Sequence, residues 1–266
     1  MKFSYMMYDP VQDISELSSR MAVIAALGYH GIELVGTYPV GFPIEALIEV
    51  SKEHKLPVVS LLSGWSYGNE GLNLSHPHPG LRERAAARIG DYVRMAGQLG
   101  ALVVVGLMQG LRSDEPDEAQ ANMRIAEGLR RVAQTAEEQR VSVVIEPVNH
   151  LQVGFNHTAA EAAAMAERVG SPALGYMLDT LHMNIEERSV VETIRAHGAR
   201  IGHFHLCETN GGPFGSGGLD FARVLATLDE VGYDRWVSVK VYRKLTWDES
   251  ARASAEFLRK LGIAFG

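Results

Sequence analysis

One cysteine, Cys207, stands in a chain of 266 residues, so no disulfide can form within the chain, and a reducing compartment suits it. No apolar run reaches the roughly 18 residues of a membrane span. Residues 1–8 hold one Lys and a short strand-like run instead of the long apolar core of a secretion signal. Together these features predict a cytoplasmic protein with no membrane partner. Positive charge is scarce: Lys and Arg number 25 against 32 Asp and Glu, a net charge of −7. No basic stripe is there to neutralise phosphates, which argues against nucleic acid as a partner. Linkers are missing too. No Pro/Ser-rich stretch or shift of composition divides the chain, and the expectation is one domain over residues 1–266.

The chain does have enough apolar material for a large core, with 46% hydrophobic and 21% charged residues. Short β-branched or apolar runs alternate with amphipathic helical stretches, the pattern of a parallel sheet covered by helices. Strands are expected at 2–8, 31–36, 57–63, 101–107, 141–147, 174–179, 201–207 and 236–242. Helices are expected at 14–27, 44–54, 81–99, 119–139, 159–169, 190–197, 221–231 and 248–261, one after each strand. Gly28, Gly100, Gly170, Gly198, Gly232 and Gly262 follow helical stretches and can take the left-handed closing conformation. Eight unbroken strand–helix units predict a closed (β/α)₈ TIM barrel rather than an open doubly wound sheet.

In that fold sites are built at the C-terminal ends of the strands. Two long connections, 64–80 and 108–117, fall there, and Trp65, Tyr67, His76 and His78 are candidates for a lid over the mouth. Alternation along each strand then sorts the polar residues, because successive side chains point to opposite faces. The fifth strand turns Ser142, Val144 and Glu146 inward, the sixth Met177 and Asp179, the seventh His203, His205 and Cys207, and the eighth Ser238 and Lys240. Glu33 joins them from the second. Glu33, Glu146, Asp179, His205 and Lys240 thus share one height on separate strands, and inward charges are costly unless paired or functional. His203, one layer deeper, reads as a hydrogen-bonded core histidine, and Cys207 as packing. Glu, Asp and His converging at one mouth suit a divalent cation such as Mn²⁺, Mg²⁺, Co²⁺ or Zn²⁺.

These residues lie in segments that resemble the xylose-isomerase-like sugar isomerases and epimerases: Ile145-Glu146-Pro147-Val148-Asn149, Leu178-Asp179-Thr180-Leu181-His182 and His203-Phe204-His205-Leu206. Gly31-Ile32-Glu33-Leu34, Pro213-Phe214-Gly215-Ser216-Gly217 and Gly232-Tyr233-Asp234 extend the likeness over essentially the whole chain. The pattern is most similar to the ketose 3-epimerases. The resemblance implies Glu146, Asp179 and His205 as metal ligands, Glu146 also as an acid/base group, His182 as a substrate contact, and a homo-dimer or homo-tetramer.

Two positions depart from that pattern. Lys240 stands where the epimerases carry a fourth ligand, an eighth-strand Glu that is also their second acid/base residue. Gly211 stands where they carry a substrate-contacting Arg, which leaves Glu208 available for substrate hydroxyls. An ammonium beside a dication is repelled by several kcal/mol at an effective dielectric of about 20, so Lys240 puts the metal in question. Three routes are open: a three-ligand metal site with neutral Lys240 as base, a metal-free site with the Lys240 ammonium in the ion's place, or an imine between Lys240 and a keto sugar. A lapsed enzyme that only binds sugar is a fourth. The expected activity is isomerisation or epimerisation of a small sugar or polyol through an enediolate, with Glu146 and Lys240 catalytic and Glu33, Trp65, His182 and Glu208 binding substrate. A lyase or dehydratase of a keto sugar or keto polyol is the alternative. A DNA-repair endonuclease of the endonuclease IV type is not expected, because the third and fourth strands here offer no counterparts of its extra His ligands and the acidic balance opposes DNA binding. Arg112 and Arg243 are the cations that could take a substrate phosphate, although no phosphate cradle is evident.

Overall fold

The computed structural model describes residues 1–11, 13–35, 38–242 and 245–263. Eight parallel strands close into a barrel in sequence order: β1 Lys2–Met7, β2 Gly31–Val35, β3 Val58–Leu62, β4 Leu102–Val105, β5 Val143–Ile145, β6 Leu174–Asp179, β7 Ile201–Cys207 and β8 Trp236–Lys240. The ring closes where β1 pairs with β8, Ser4 lying opposite Ser238. The chain is therefore a single-domain TIM barrel, as its strand–helix alternation predicts. The described helices around it are α1 Ile14–Ala26, α2 Ile44–Glu53, α3 Trp65–Glu70, α4 Pro79–Leu99, α5 Glu118–Gln139, α6 Ala159–Val169, α7 Thr180–Glu186, α8 Val190–His197, α9 Phe221–Glu230 and α10 Trp247–Lys260. None is long and apolar enough to cross a membrane.

Local chemistry sets the boundaries. The six closing glycines all have φ between 39° and 86°, a region that costs glycine no Cβ clash. Thr158 and Glu161 form a reciprocal capping box at the start of α6. Helix α4 opens with Pro79, whose missing N–H is not needed in the first turn. Two helices go beyond one per strand. Helix α3 lies inside the long connection after β3, and α7 begins directly at the end of β6, where Asp179 accepts the Leu181 N–H at 2.8 Å.

The outward faces of the strands pack under the helices in one extended core that includes Val103, Val143, Ile145, Leu178, Phe204, Leu206, Val237 and Val239. Inside the barrel Val104, Val144 and Met177 form a separate apolar layer with Leu62 and Leu102. Polar residues stand above that layer, towards the strand C-termini. Register shifts between Ile32 and Glu33 and between Tyr176 and Leu178 break strict alternation on two strand pairs. Near the second, Gly202 is required by close approach: a Cβ there would stand 2.8 Å from a Val144 methyl. Strand β4 stops at Val105 and turns into a 3₁₀ segment, Leu107–Gln109, and β5 stops at Ile145, so both are shorter than their apolar runs.

Candidate active site

Glu146 follows β5 by one residue, held in line by its N–H donating to the Val105 carbonyl at 2.9 Å. Its own carbonyl accepts from Gln109 Nε2 at 2.9 Å, and Gln109 Oε1 accepts from Asn156, so a buried amide chain braces the Glu146 backbone. Its carboxylate fits against Gly106, where a Cβ would lie 2.5 Å from Glu146 Oε2. Asp179 ends β6, with its Oδ1 fixed by the first turn of α7. His205 pairs with Asp179 across β6 and β7, and Cys207 pairs with Lys240, which brings Lys240 to the mouth one layer higher.

The barrel brings Glu146, Asp179, His205 and Lys240 together. Lys240 Nζ donates to Asp179 Oδ2 at 2.6 Å and lies 3.8 Å from Glu146 Oε1. His205 Nδ1 lies 3.3 Å from Glu146 Oε1 and 3.5 Å from Asp179 Oδ2, while its Nε2 bonds to Glu33 Oε1 at 3.0 Å. His182 Nε2 is 3.6 Å from Glu146 Oε1, and its Nδ1 shares a 2.7 Å hydrogen bond with the Asn149 amide nitrogen. That amide can only donate, which leaves Nδ1 the acceptor and places the ring proton on Nε2, facing the carboxylates.

All of these groups are buried, and their charges depend on one another. Burial works against the Lys240 ammonium, yet the Asp179 and Glu146 carboxylates outweigh it and hold its pKa above the ordinary value. Burial likewise opposes ionisation of Asp179 and Glu146, and Lys240 is the leading influence that keeps both below the usual carboxylate range. His205 is raised well above its ordinary value despite burial, chiefly by Glu33. Desolvation lowers His182, which stays neutral. The carboxylates of Glu33, Glu146 and Asp179 exceed Lys240 by two charges. A protonated His205 removes one of these, and a divalent cation would remove both.

The donor atoms suit such an ion. Glu146 Oε1 and His205 Nδ1 are buried without a hydrogen-bond partner among the described residues, although they are only 3.3 Å apart. Two ligands each about 2.1 Å from one ion lie roughly 3 Å apart, so this close but unaligned contact is the spacing of atoms that share a cation. Glu146, Asp179 and His182 also offer ligand atoms within 4.8 Å of one another, and so do Glu33, His203 and His205 one layer down.

Above the cluster a cavity of about 460 Å³ opens between Tyr8, Asp9, Trp65, Leu107, Gln152, His182 and Tyr242, with Glu146 and Lys240 at its floor. Several sequence-based expectations change here. Glu33, expected to bind substrate, is fully buried beneath His205, to whose Nε2 it is hydrogen-bonded, and does not line the cavity. Glu208 is fully buried as well: its carboxylate accepts the N–H groups of Thr209, Gly215 and Leu219 and shapes the 209–219 loop. Of the lid candidates Trp65 lines the cavity and Tyr67 lies behind it near Asp114, but His76 and His78 turn to the start of α4, where His76 Nδ1 accepts the His78 N–H. Arg112 pairs with Glu118 on the surface, and Arg243 lies outside the described residues. His203 bonds to Ser238 in the barrel interior as a core histidine would. Tyr8 and Tyr242 end the expected first and eighth strands with the inward parity of Ser4 and Lys240, so alternation does mark them, although neither carries the charge or imidazole that identifies the other site residues; Asp9 and Gln152 lie in connections, where the period of two does not apply.

A family profile described as xylose isomerase-like TIM barrel matches residues 21–261. The L-ribulose 3-epimerase of Mesorhizobium japonicum is 31% identical over 192 residues, 71% of this chain and 64% of that protein, so the match spans just under two thirds of that relative. The D-psicose 3-epimerase of Enterocloster bolteae is 30% identical over 239 residues, 86% of this chain and 78% of its own. A solved L-ribulose 3-epimerase structure superposes with a TM-score of 0.85 at 25% identity, covering 98% of this chain and 94% of that one.

The amide brace under Glu146 can be tested without a substrate. Gln109→Met keeps the volume but strips the Glu146 carbonyl of this partner and leaves the Asn156 amide only Asn122 Oδ1, and the expected loss of unfolding free energy is about 1–3 kcal/mol in urea titrations. A change within about 0.5 kcal/mol would mean that the brace is not needed.

Proposed function

The chain belongs to the xylose isomerase-like TIM-barrel family, and on that footing we propose that it is an isomerase or epimerase acting on a small ketose or polyol through an enediolate. The observation that carries this reading is Glu146, an ionised carboxylate on the floor of the cavity beside the Lys240 ammonium. Glu146 accepts the proton next to the substrate carbonyl. Lys240, held charged by Asp179, stabilises the oxyanion that forms and serves as proton donor instead of base. The same pairing counts against an imine, which needs a neutral amine. His182, with its proton placed on Nε2 by Asn149, donates to a substrate oxygen. Besides Glu146, Asp9 at the rim is the one other carboxylate among the described residues lining the cavity. A single base suffices for isomerisation, whereas epimerisation also requires Lys240 or His182 to return the proton to the opposite face.

Glu146, Asp179 and His205 would hold a divalent cation, for which two carboxylates and an imidazole suit Mn²⁺, Mg²⁺, Co²⁺ or Zn²⁺. Such an ion, when bound, polarises the carbonyl and neutralises the enediolate. The Lys240 ammonium, 2.6 Å from Asp179 Oδ2, would oppose such an ion, and the two-charge excess of the three carboxylates would work against that repulsion. The buried single cysteine accords with a cytoplasmic setting.

His205 must be neutral to ligate, and its pKa is raised in the ion-free cluster. Cation affinity should therefore rise with pH, by up to about tenfold per unit near neutrality, with release of close to one proton. Calorimetry with Mn²⁺ in buffers of different ionisation enthalpy measures both quantities, and pH-independent binding without proton release would remove His205 from the ligand set. Turnover of small ketoses in D₂O should place deuterium at the carbon next to the carbonyl, and Glu146→Gln should abolish the exchange. Deuterium-free product and recovered substrate across a ketose panel would count against the enediolate. Lys240→Met keeps most of the stem and removes the charge, with an expected loss of about 10²-fold or more in turnover and folding retained. Near-normal turnover in that variant would leave Lys240 only a charge partner for Asp179 and Glu146.

A further inference from the structure

At its outer end the cavity is walled by aromatic rings, and the arrangement arises where the chain departs from its family's sequence pattern. Tyr8 follows β1 and Tyr242 follows β8, the two strands that close the barrel, and their rings stack with centroids 5.7 Å apart and planes inclined by 27°. Gly211 makes the position of Tyr242 possible. It has a φ of +69°, and a Cβ there would stand 2.6–2.9 Å from the Tyr242 ring and hydroxyl. The Tyr242 N–H donates to the Gly211 carbonyl at 3.2 Å, tying the segment after β8 to this loop. A side chain at 211 and the Tyr242 ring cannot share this space. Tyr8 keeps 45% of its surface exposed, an unusual state for a large ring stacked at the rim of a cavity, and Trp65 faces the same cavity.

We propose that Tyr8 and Tyr242 form a stacking platform for a second ring carried by the substrate, so that the protein acts on a glycoside whose reacting sugar carries a ring ketone and sits over Glu146 and Lys240. This inference rests on the sugar chemistry proposed above and adds the class of substrate. Three observations support it. A cavity of about 460 Å³ falls within the roughly 300–1,000 Å³ range that holds ligands of drug size, larger than one hexose. Exposed aromatic faces grouped at a rim mark a binding groove, and the C–H face of a pyranose or the face of an aryl aglycone covers such rings. Asp9 and Gln152 on the same wall can take the hydroxyls of such a ligand.

Phenyl and methyl glucosides, each as both anomers, probe the platform by calorimetry, because neither carries a ketone and so neither turns over. The native chain should bind at least one phenyl glucoside at least tenfold more tightly than the matching methyl glucoside. Tyr8→Ala, a change at an exposed ring, should reduce that preference to twofold or less with methyl glucoside affinity unchanged, and Tyr242→Leu should do the same. Unchanged circular dichroism and Mn²⁺ affinity would show both variants folded. No preference in the native chain, absence of binding included, overturns the proposal, and so does a preference that survives both substitutions. The D₂O exchange experiment reads the chemistry separately. Exchange on a free ketose without a phenyl preference sinks the platform alone, whereas a platform-dependent preference with no exchange on a phenyl 3-ketoglucoside sinks the enediolate reading alone.

Discussion

The bridge between Lys240 and Asp179 governs the mouth of this barrel. Taking charges out of water costs several kcal/mol per ion unless partners replace the lost hydration. Glu33, Glu146, Asp179, His182, His205 and Lys240 lie together here, and nearly every nearby feature supplies such a partner or makes room for one. The first turn of α7 offers an N–H to Asp179, Gly106 leaves space for the Glu146 carboxylate, and Glu33 holds the far nitrogen of His205. Glu146 Oε1 and His205 Nδ1 are left without a partner among the described residues at the centre of the cluster, and Glu33 Oε2 and His203 Nδ1 one layer down. These four buried atoms are the polar capacity that the cluster leaves unspent.

Much of this was legible from the order of residues. Alternation on β5, β6, β7 and β8 placed Glu146, Asp179, His205 and Lys240 inside because apolar neighbours on each strand fixed which face met the helices. The glycines marked helix ends because each needs a positive φ that other residues resist. Depth was less legible. Glu33 is inward like the others, but the register shift between β2 and β3 and the two histidines above it turn its carboxylate into a support. Glu208 looked available since a lone acid after a strand has no visible partner, and its partners are backbone N–H groups up to eleven residues away. Helix α7 was hidden because it starts on the last residue of a strand, with no intervening turn to announce it.

The two departures from the epimerase pattern prove to be spatially related. Lys240 and Tyr242 stand on the same side of the chain at the end of β8, with Lys240 Nζ 5.8 Å from the Tyr242 ring, and Gly211 from the neighbouring loop makes the ring's position possible. An ammonium in place of a carboxylate at 240 raises the local charge by two and the guanidinium lost at 211 lowers it by one, so the mouth is one charge more positive than the epimerase pattern, and an aromatic ring stands beside the position of the lost guanidinium.

Lys240 lies on β8, the strand that seals the ring against β1, more than 230 residues along the chain from its partner strand. Until that seam forms, Asp179 and Glu146 lack the cation that tolerates their burial, so a barrel of seven strands would carry a strained, water-seeking mouth. Docking of the last strand thus supplies a charge that His205 on β7 cannot supply alone. Contacts of such long sequence separation form late and slowly, so the pairing of Lys240 with Asp179 is among the last features of the barrel to be completed.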